Sequence, residues 1–174
     1  MGFKVFIGCS TPKITALASE IADGILFNYV YPEFLLWIKQ HLKKKVLSVA
    51  FGPALILPSQ YYQDLILAAA IVMGSNYHFL EEFNLVSLWN KIAHINLENL
   101  IKIRQKGYDL FKLEDFKKID EISELLVEKF TISGSLNDFK RKINDILKVC
   151  DQLILGDPFF RDINSLLALK QLFS

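Results

Sequence analysis

Histidine, cysteine and proline are scarce in this chain of 174 residues, at three, two and five. Cys9 and Cys150 are too few for a disulfide framework, which points to a reducing, cytoplasmic compartment. His41, His78 and His94 have no metal-ligand spacing among themselves or to cysteine, and no His-x-x-x-His pair occurs, so no metal site is expected. Neither sign of charge is in excess, with 20 basic and 19 acidic residues. A nucleic-acid partner and a solvated, disordered chain are both disfavoured. Long hydrophobic runs are missing too: the longest, Leu65 to Met73, is far too short to span a bilayer, and no membrane partner is expected. The N-terminus has one lysine and no long apolar stretch, so no signal peptide is expected. No Gly-x-Ser-x-Gly elbow, P-loop, internal repeat, low-complexity tract or interdomain linker occurs. One domain over residues 1–174 follows.

What is present is apolar residues, 52% of the chain, arranged in short runs separated by helical patterns. Phe3 to Ile7 is a strand of the kind buried on both faces, with β-branched Val5 and Ile7. Gly8-Cys9-Ser10-Thr11-Pro12 turns the chain. Thr11 at the N-cap and Pro12 at the first helical position start a helix to Ala22, with Ile14, Leu17, Ala18 and Ile21 on one face. Gly24 to Phe27 is the next strand, so the stretch is a βαβ unit. Pro32 and Glu33 open a helix to about Lys44, its stripe made by Phe34, Ile38 and Leu42. Val46 to Phe51 is a third strand. Gly52 and Pro53 leave Ala54 to Leu57 either its bent continuation or a loop. Gln60 to Met73 is a helix apolar on nearly all sides, to be buried all round or covered by a partner.

Residues 75–126 make a helical excursion. Leu88, Ile92 and Ile95 fit one helix, and Leu97 to Arg104 another that ends at Gly107 as its C′ glycine. Glu114 to Lys118 is charged and exposed, and Ile122, Leu125 and Leu126 fit a further helix. Phe130 to Ile132 is a short extended piece. Leu136 to Val149 is helical with Phe139, Ile143, Ile146 and Leu147 inward, and Gln152 to Gly156 is the last strand. Asp162 or Asn164 caps a closing helix to Leu172. Four strands alternating with helices give an α/β class with parallel pairing.

Particular wording carries a resemblance. Phe6-Ile7-Gly8-Cys9-Ser10-Thr11-Pro12-Lys13, then Ala18-Ser19-Glu20-Ile21-Ala22-Asp23-Gly24-Ile25, resembles the luciferase-like family of flavin and deazaflavin oxidoreductases, methylenetetrahydromethanopterin reductases above all. Phe130 to Ser135 and Leu153 to Pro158 match the family's later segments. Thr11 stands where the family often has glycine, and Cys9 where it often has alanine. Threonine is excluded there only if the position needs φ > 0. The resemblance covers residues 2–75 and 127–172. It implies the last four strands of a luciferase-like (β/α)8 TIM barrel, a partial, half-barrel fold.

The resemblance further implies that the turn Gly8, Cys9, Ser10 and Thr11 holds the phosphate of a cofactor, either coenzyme F-420 (the 8-hydroxy-5-deazaflavin) or FMN. Hydroxyls, backbone N–H groups and a helix N-terminus converging there agree with that. Asn28, Tyr29, Phe51, Asp157 and Arg161 lie at other strand ends, where barrels carry their chemistry. Asn28 is a ligand donor or a turn-maker; Arg161 meets a phosphate or pairs with Asp157 or Asp162. Cys9 is either a reactive thiol at a helix N-terminus or a small buried filler. The histidines read as surface or satisfied groups, and Trp37 and Trp89 as packing. The ring-facing groups of the family come from the other half, so no catalytic residue is assigned. Two functions stand: half of an F-420- or FMN-dependent hydride-transfer oxidoreductase, or a non-catalytic half-barrel remnant. Four strands leave two open edges and an apolar concave face. The expected partners are therefore a second copy, as a homodimer through strands or the Leu65–Val72 helix, or a separate N-terminal half-barrel chain, unless the excursion at 75–126 folds over that face in a monomer.

Overall fold

The computed structural model describes residues 4–172, and all of its strand pairings are parallel. Strand β1 (Phe6–Cys9) leads through helix α1 (Pro12–Ile21) to β2 (Gly24–Phe27), and α2 (Pro32–Lys39) leads to β3 (Leu47–Ile56). This is the βαβ unit expected from the sequence, repeated once. Phe3, placed in the first strand by its apolarity, lies outside the described residues; the strand itself begins at Phe6. The second helix stops at Lys39, one turn short of Lys44.

β3 does not end at Phe51. It runs on through Gly52 and Pro53 to Ile56, and this length gives it three neighbours. Leu47 to Ala50 pair with β2, Val49 to Pro53 with β5 (Gln152–Gly156), and Ala54 to Ile56 with β4 (Ile132–Gly134). The four expected strands are thus five. β4 is three residues long, too short to show a period of its own, and its partner lies some eighty residues earlier in sequence. Phe130 is helical rather than extended.

Between β3 and β4 lie α3 (Tyr62–Met73), α4 (Tyr77–Glu82), α5 (Val86–Ile92), α6 (Leu97–Gln105), α7 (Glu114–Asp120) and α8 (Ser123–Phe130). Gly107 closes α6 at φ 86°, as a C′ glycine should. The charged stretch Glu114–Lys118 is itself helical and turns Phe116 inward. The apolar helix α3 is covered by this excursion: it packs on α6, α7, α8 and β3, which buries Leu65, Ile66, Leu67, Ala69, Ala70, Val72 and Met73. The helix therefore needs no second copy to cover it. α9 (Leu136–Leu147) buries Phe139 and Ile146 against the sheet but leaves Leu147 exposed, and α10 (Ile163–Leu172) closes the chain.

Helix α1 is rotated from its expected orientation, and of Ile14, Leu17, Ala18 and Ile21 it buries Ala18 alone. Thr15, Ala18 and Ser19 are the buried residues, while Ile14, Leu17 and Ile21 point outward at 45%, 56% and 70% exposure. A small, mixed face lets α1 approach the sheet and α2 closely. Ser19 Oγ accepts from the Lys43 backbone N–H at 2.9 Å and donates to the Ala16 carbonyl.

At the N-terminal end of the strands, β3 and β5 are pinned by a pair 103 residues apart. Asp151 Oδ2 accepts from the Ser48 backbone N–H at 2.8 Å and from its hydroxyl at 2.6 Å. Lys39 Nζ, from α2, donates to Ser48 Oγ at 3.2 Å and to the Val149 carbonyl. These bonds hold the Asp151 carboxyl below the usual carboxylate range, the Ser48 hydroxyl foremost. Ser48 is 1% exposed, so losing the carboxylate strands two buried donors. Asp151→Ala is expected to lower unfolding free energy by about 2 kcal/mol in urea titrations at pH 7. Because the folded pKa is depressed, the contribution is whole above about pH 4 and fades as pH falls through the folded value. The gap between wild type and variant should therefore shrink in acid.

Candidate functional site

The C-terminal ends of β1 and β2 and the start of α4 meet around Tyr29. Its ring, 1% exposed, stacks on Phe79 of α4 at 4.8 Å between centroids, and meets Phe34 and Trp37 of α2 edge-on. Its hydroxyl donates to the Ser10 carbonyl at 2.8 Å, and Asn76 Nδ2 donates to the same oxygen. Asn76 also caps α4, accepting from the Phe79 N–H at 3.4 Å. Burial raises the Tyr29 phenol to about 12, against a smaller lowering by Asn76. The turn between β1 and α1 is thus held from below by two donors on one carbonyl, which fixes the backbone and leaves its other groups outward.

Of the four residues expected in the turn, Gly8 and Cys9 are the last of β1 and pair with Leu26 and Phe27 of β2, so the turn itself is Ser10 and Thr11. Gly8 is exposed, and a Cβ built on it would meet nothing within 4 Å. Thr11 has φ −121°, ordinary extended backbone, so threonine in place of glycine carries no strain here. It takes the N-cap position yet makes no side-chain cap bond, contrary to the capping role its position implied, and no acidic residue lies in the first turn. Lys13 stands there instead, a cation where the helix dipole favours an anion. Among the described residues, the Ser10 and Thr11 hydroxyls have no side-chain partner.

Cys9 departs from the rest of the turn. It is 4% exposed, and burial raises its thiol, against a smaller lowering by the Thr15 hydroxyl. A reactive thiolate is not what this position makes; it is the small buried filler. Both cysteines are free and buried.

The remaining candidates scatter. Asn28 and Phe51 are half-buried at the ends of β2 and within β3, and no polar group of the turn reaches them. Arg161 binds Asp157 through two bonds, at 2.6 and 2.7 Å, and Asp64 of α3 at 3.1 Å; Arg104 of α6 binds the other Asp64 oxygen at 2.9 Å. Asp162 instead takes the Ser165 hydroxyl at 2.8 Å. Sequence reasoning missed Asp64 and Arg104, because their partners come from separate helices. The four groups rim a cleft of about 360 Å³ floored by Leu67, Ala68, Ile71 and Ile101. Both guanidiniums are already paired, so the network clamps the β5–α10 turn onto the excursion. His78 meets Glu81 on the surface and His94 is exposed, but His41 Nε2 is buried without a partner, not satisfied as expected. Trp37 and Trp89 pack, the latter against Gly74. Among the described residues no cluster of three metal-ligating side chains occurs, and no helix is long and apolar enough to cross a membrane.

These features define a class: half of a (β/α)8 barrel, with a firmly held strand–turn–helix whose N–H groups and hydroxyls face outward. The chain is 24% identical, over an alignment of 182 positions, to a 5,10-methylenetetrahydromethanopterin reductase of Archaeoglobus fulgidus, covering 93% of this chain and 52% of the relative. Its fold matches a coenzyme F-420-dependent tetrahydromethanopterin reductase from Methanopyrus kandleri, with a TM-score of 0.64 and 22% identity over 90% of this chain and 46% of that one. No protein-family model matches the chain. The chain spans about half the length of the relatives it matches, and its fold is that of half of a luciferase-like TIM-barrel reductase. The resemblance carried by the two Gly-containing turns is the one both comparisons find.

The Tyr29 support is open to test. A phenol buried this way titrates late, and absorbance titration should show a phenolate step near pH 12 that Tyr29→Phe removes. Since the folded pKa is raised, wild-type stability should fall as pH climbs from about 10, the ordinary tyrosine value, through the folded one.

Proposed function

We propose that this chain is one half of a deazaflavin-dependent oxidoreductase barrel, and that its β1–α1 turn holds the phosphate of coenzyme F-420. The observation that carries the reading is the unsatisfied start of α1: an uncapped helix N-terminus, a first-turn Lys13, two free hydroxyls and an unobstructed Gly8. An anion at that point completes the first-turn N–H groups and offsets Lys13. The deazaflavin named for the similar structure supports F-420 over FMN as the ligand.

The fit is to the phosphate, and the ring needs more than the turn provides. The better-formed clefts of the surface are lined by other residues, one of them touching only Pro12 at the start of α1. When bound, the coenzyme supplies the hydride chemistry. The chain's own part is to fix the phosphate end through Ser10, Thr11 and the α1 N–H groups. Tyr29 and Asn76 keep that turn from moving through their bonds to the Ser10 carbonyl. Among the described residues no acid, base or nucleophile is assembled beside the turn, and this reading assigns the reacting groups to the remainder of the barrel. Two free buried cysteines suit a reducing, cytoplasmic setting.

Equilibrium dialysis with coenzyme F-420 and, separately, FMN tests the reading. Wild type should retain F-420, and Ser10→Asp should weaken it by about tenfold or more, since a carboxylate then faces the ligand's phosphate. Equal retention by both proteins would remove the turn from the account. Absence of retention by either would leave the second reading, a half-barrel without cofactor. In either case the isolated chain should show no steady turnover with reduced F-420 or nicotinamide donors. A rate that survives repurification would overturn the division of labour between the two halves.

A further inference from the structure

We infer that Asn76 is a positioning residue for the anion at the β1–α1 turn, and that through it ligand binding and the docking of helix α4 favour each other. This rests on the phosphate reading of that turn and adds to it a link with the excursion.

The link runs through the peptide between Ser10 and Thr11. A trans peptide directs its C=O and its N–H to opposite sides. Two donors draw the Ser10 carbonyl inward, the Tyr29 hydroxyl at 2.8 Å and Asn76 Nδ2. Both side chains are buried, at 1% and 5% exposure. The Thr11 N–H is thereby turned away from the core. Pro12 has no N–H to give, and among the described residues the N–H groups of Thr11, Lys13 and Ile14 take no backbone acceptor. These are the three donors an anion would meet at the start of α1. Turning the Ser10–Thr11 peptide over would withdraw one of the three and set a carbonyl oxygen in its place. A group that fixes this peptide therefore decides the sign of the partial charge facing the ligand, and not its rigidity alone.

Asn76 holds α4 with its other atom. Its Oδ1 accepts from the Phe79 N–H at 3.4 Å and caps α4, whose six residues are too few to stay helical unaided. Its Nδ2 also lies 3.4 Å from the Tyr29 hydroxyl, and the Tyr29 ring stacks on Phe79 at 4.8 Å. One amide thus bonds the turn through nitrogen and α4 through oxygen. Farther along, α4 stands clear of α1. A cleft of about 480 Å³ lies between Pro12 and the outer residues His78, Glu81 and Glu82, beside Trp37 and His41 of α2. If α4 undocks, Asn76 leaves with it and the Tyr29 hydroxyl alone holds the carbonyl. An anion bound to the Thr11 N–H favours the peptide with its carbonyl inward. It therefore favours Asn76 in place and α4 docked, since coupling between two equilibria is reciprocal.

Asn76→Ser separates the two bonds. Serine caps a helix about as well as asparagine, is too short to reach the Ser10 carbonyl, and adds no charge near the ligand. The Thr15 amide, bonded to the Thr11 carbonyl at 3.0 Å, reports the first turn of α1. Hydrogen exchange followed by NMR should show it exchanging about fivefold faster or more in the variant. Equilibrium dialysis should show coenzyme F-420 held about fivefold more weakly or worse. In wild type, saturating F-420 should slow exchange at Leu80 and Phe83, whose amides bond the Asn76 and Phe79 carbonyls of α4, by about fivefold or more. In Asn76→Ser that slowing should vanish. Unchanged retention and unchanged Thr15 exchange in the variant would overturn the positioning role and leave the phosphate reading standing. F-420 that binds wild type without slowing Leu80 and Phe83 would overturn the coupling, a comparison that needs no variant. A wild type that retains no F-420 would overturn the phosphate reading, and this inference with it.

Discussion

The ring of Tyr29 is the point on which the upper half of this molecule depends. It leaves β2, stacks on Phe79 of the excursion, meets Phe34 and Trp37 of α2, and sends its hydroxyl to the turn after β1. Phe34 and Phe79 in turn touch Phe83 and Phe130, so α4 and α8 share one aromatic cluster. Aromatic pairs of this kind add to the area they bury. Here they do something else as well. They tie α4 and α8 to α2 and the end of β2, and they make the position of the β1–α1 turn a property of the core rather than of a loop.

The lower half is held differently, by a charged side chain at the surface with buried partners. Asp151, Ser48 and Lys39 join the end of α2, the start of β3 and the start of β5. The division follows the rule for barrels, in which the N-terminal end of the strands serves stability and the C-terminal end serves binding.

Much of the architecture was legible because it is local. Val5, Ile7, Thr11-Pro12 and Gly24 mark a strand–turn–helix–strand within about twenty residues, and the turn they define is where the open donors are found. Periodicity failed in an informative way at α1. Ile14, Leu17 and Ile21 reveal which side of the helix is apolar, but not whether anything in the chain stands against that side. The buried side carries Thr15 and Ser19, whose polarity hid it. β4 was missed because three residues have no pattern; Ala54–Ile56 makes them a strand. Pairs such as Tyr29 with Ser10, or Arg161 with Asp64, have no signature in sequence at all, since neither partner is unusual where it stands. The β1–α1 turn was legible because it lies in a single stretch, whereas surfaces brought together from far apart have no such mark.

The three neighbours of β3 bear on how the chain acquires its shape. β2 is joined to β3 by a crossover of ordinary length, so β1, β2 and β3 organise through short loops. β5 reaches the same strand only after the excursion, with Ser48 and Asp151 separated by 103 residues. Closing a loop that long is entropically dearer, and topology of this kind slows folding. During synthesis the first three strands leave the ribosome well before the fourth member of the arc, and Val49 to Pro53 wait with one side unoccupied. The excursion fills that interval: α3 and α8 pack on each other and bring its two ends together, so that a hundred-residue closure becomes a short one by the time β5 emerges. A segment that contributes no strand and no ligand group thus has a task in time, as the splint that shortens the search.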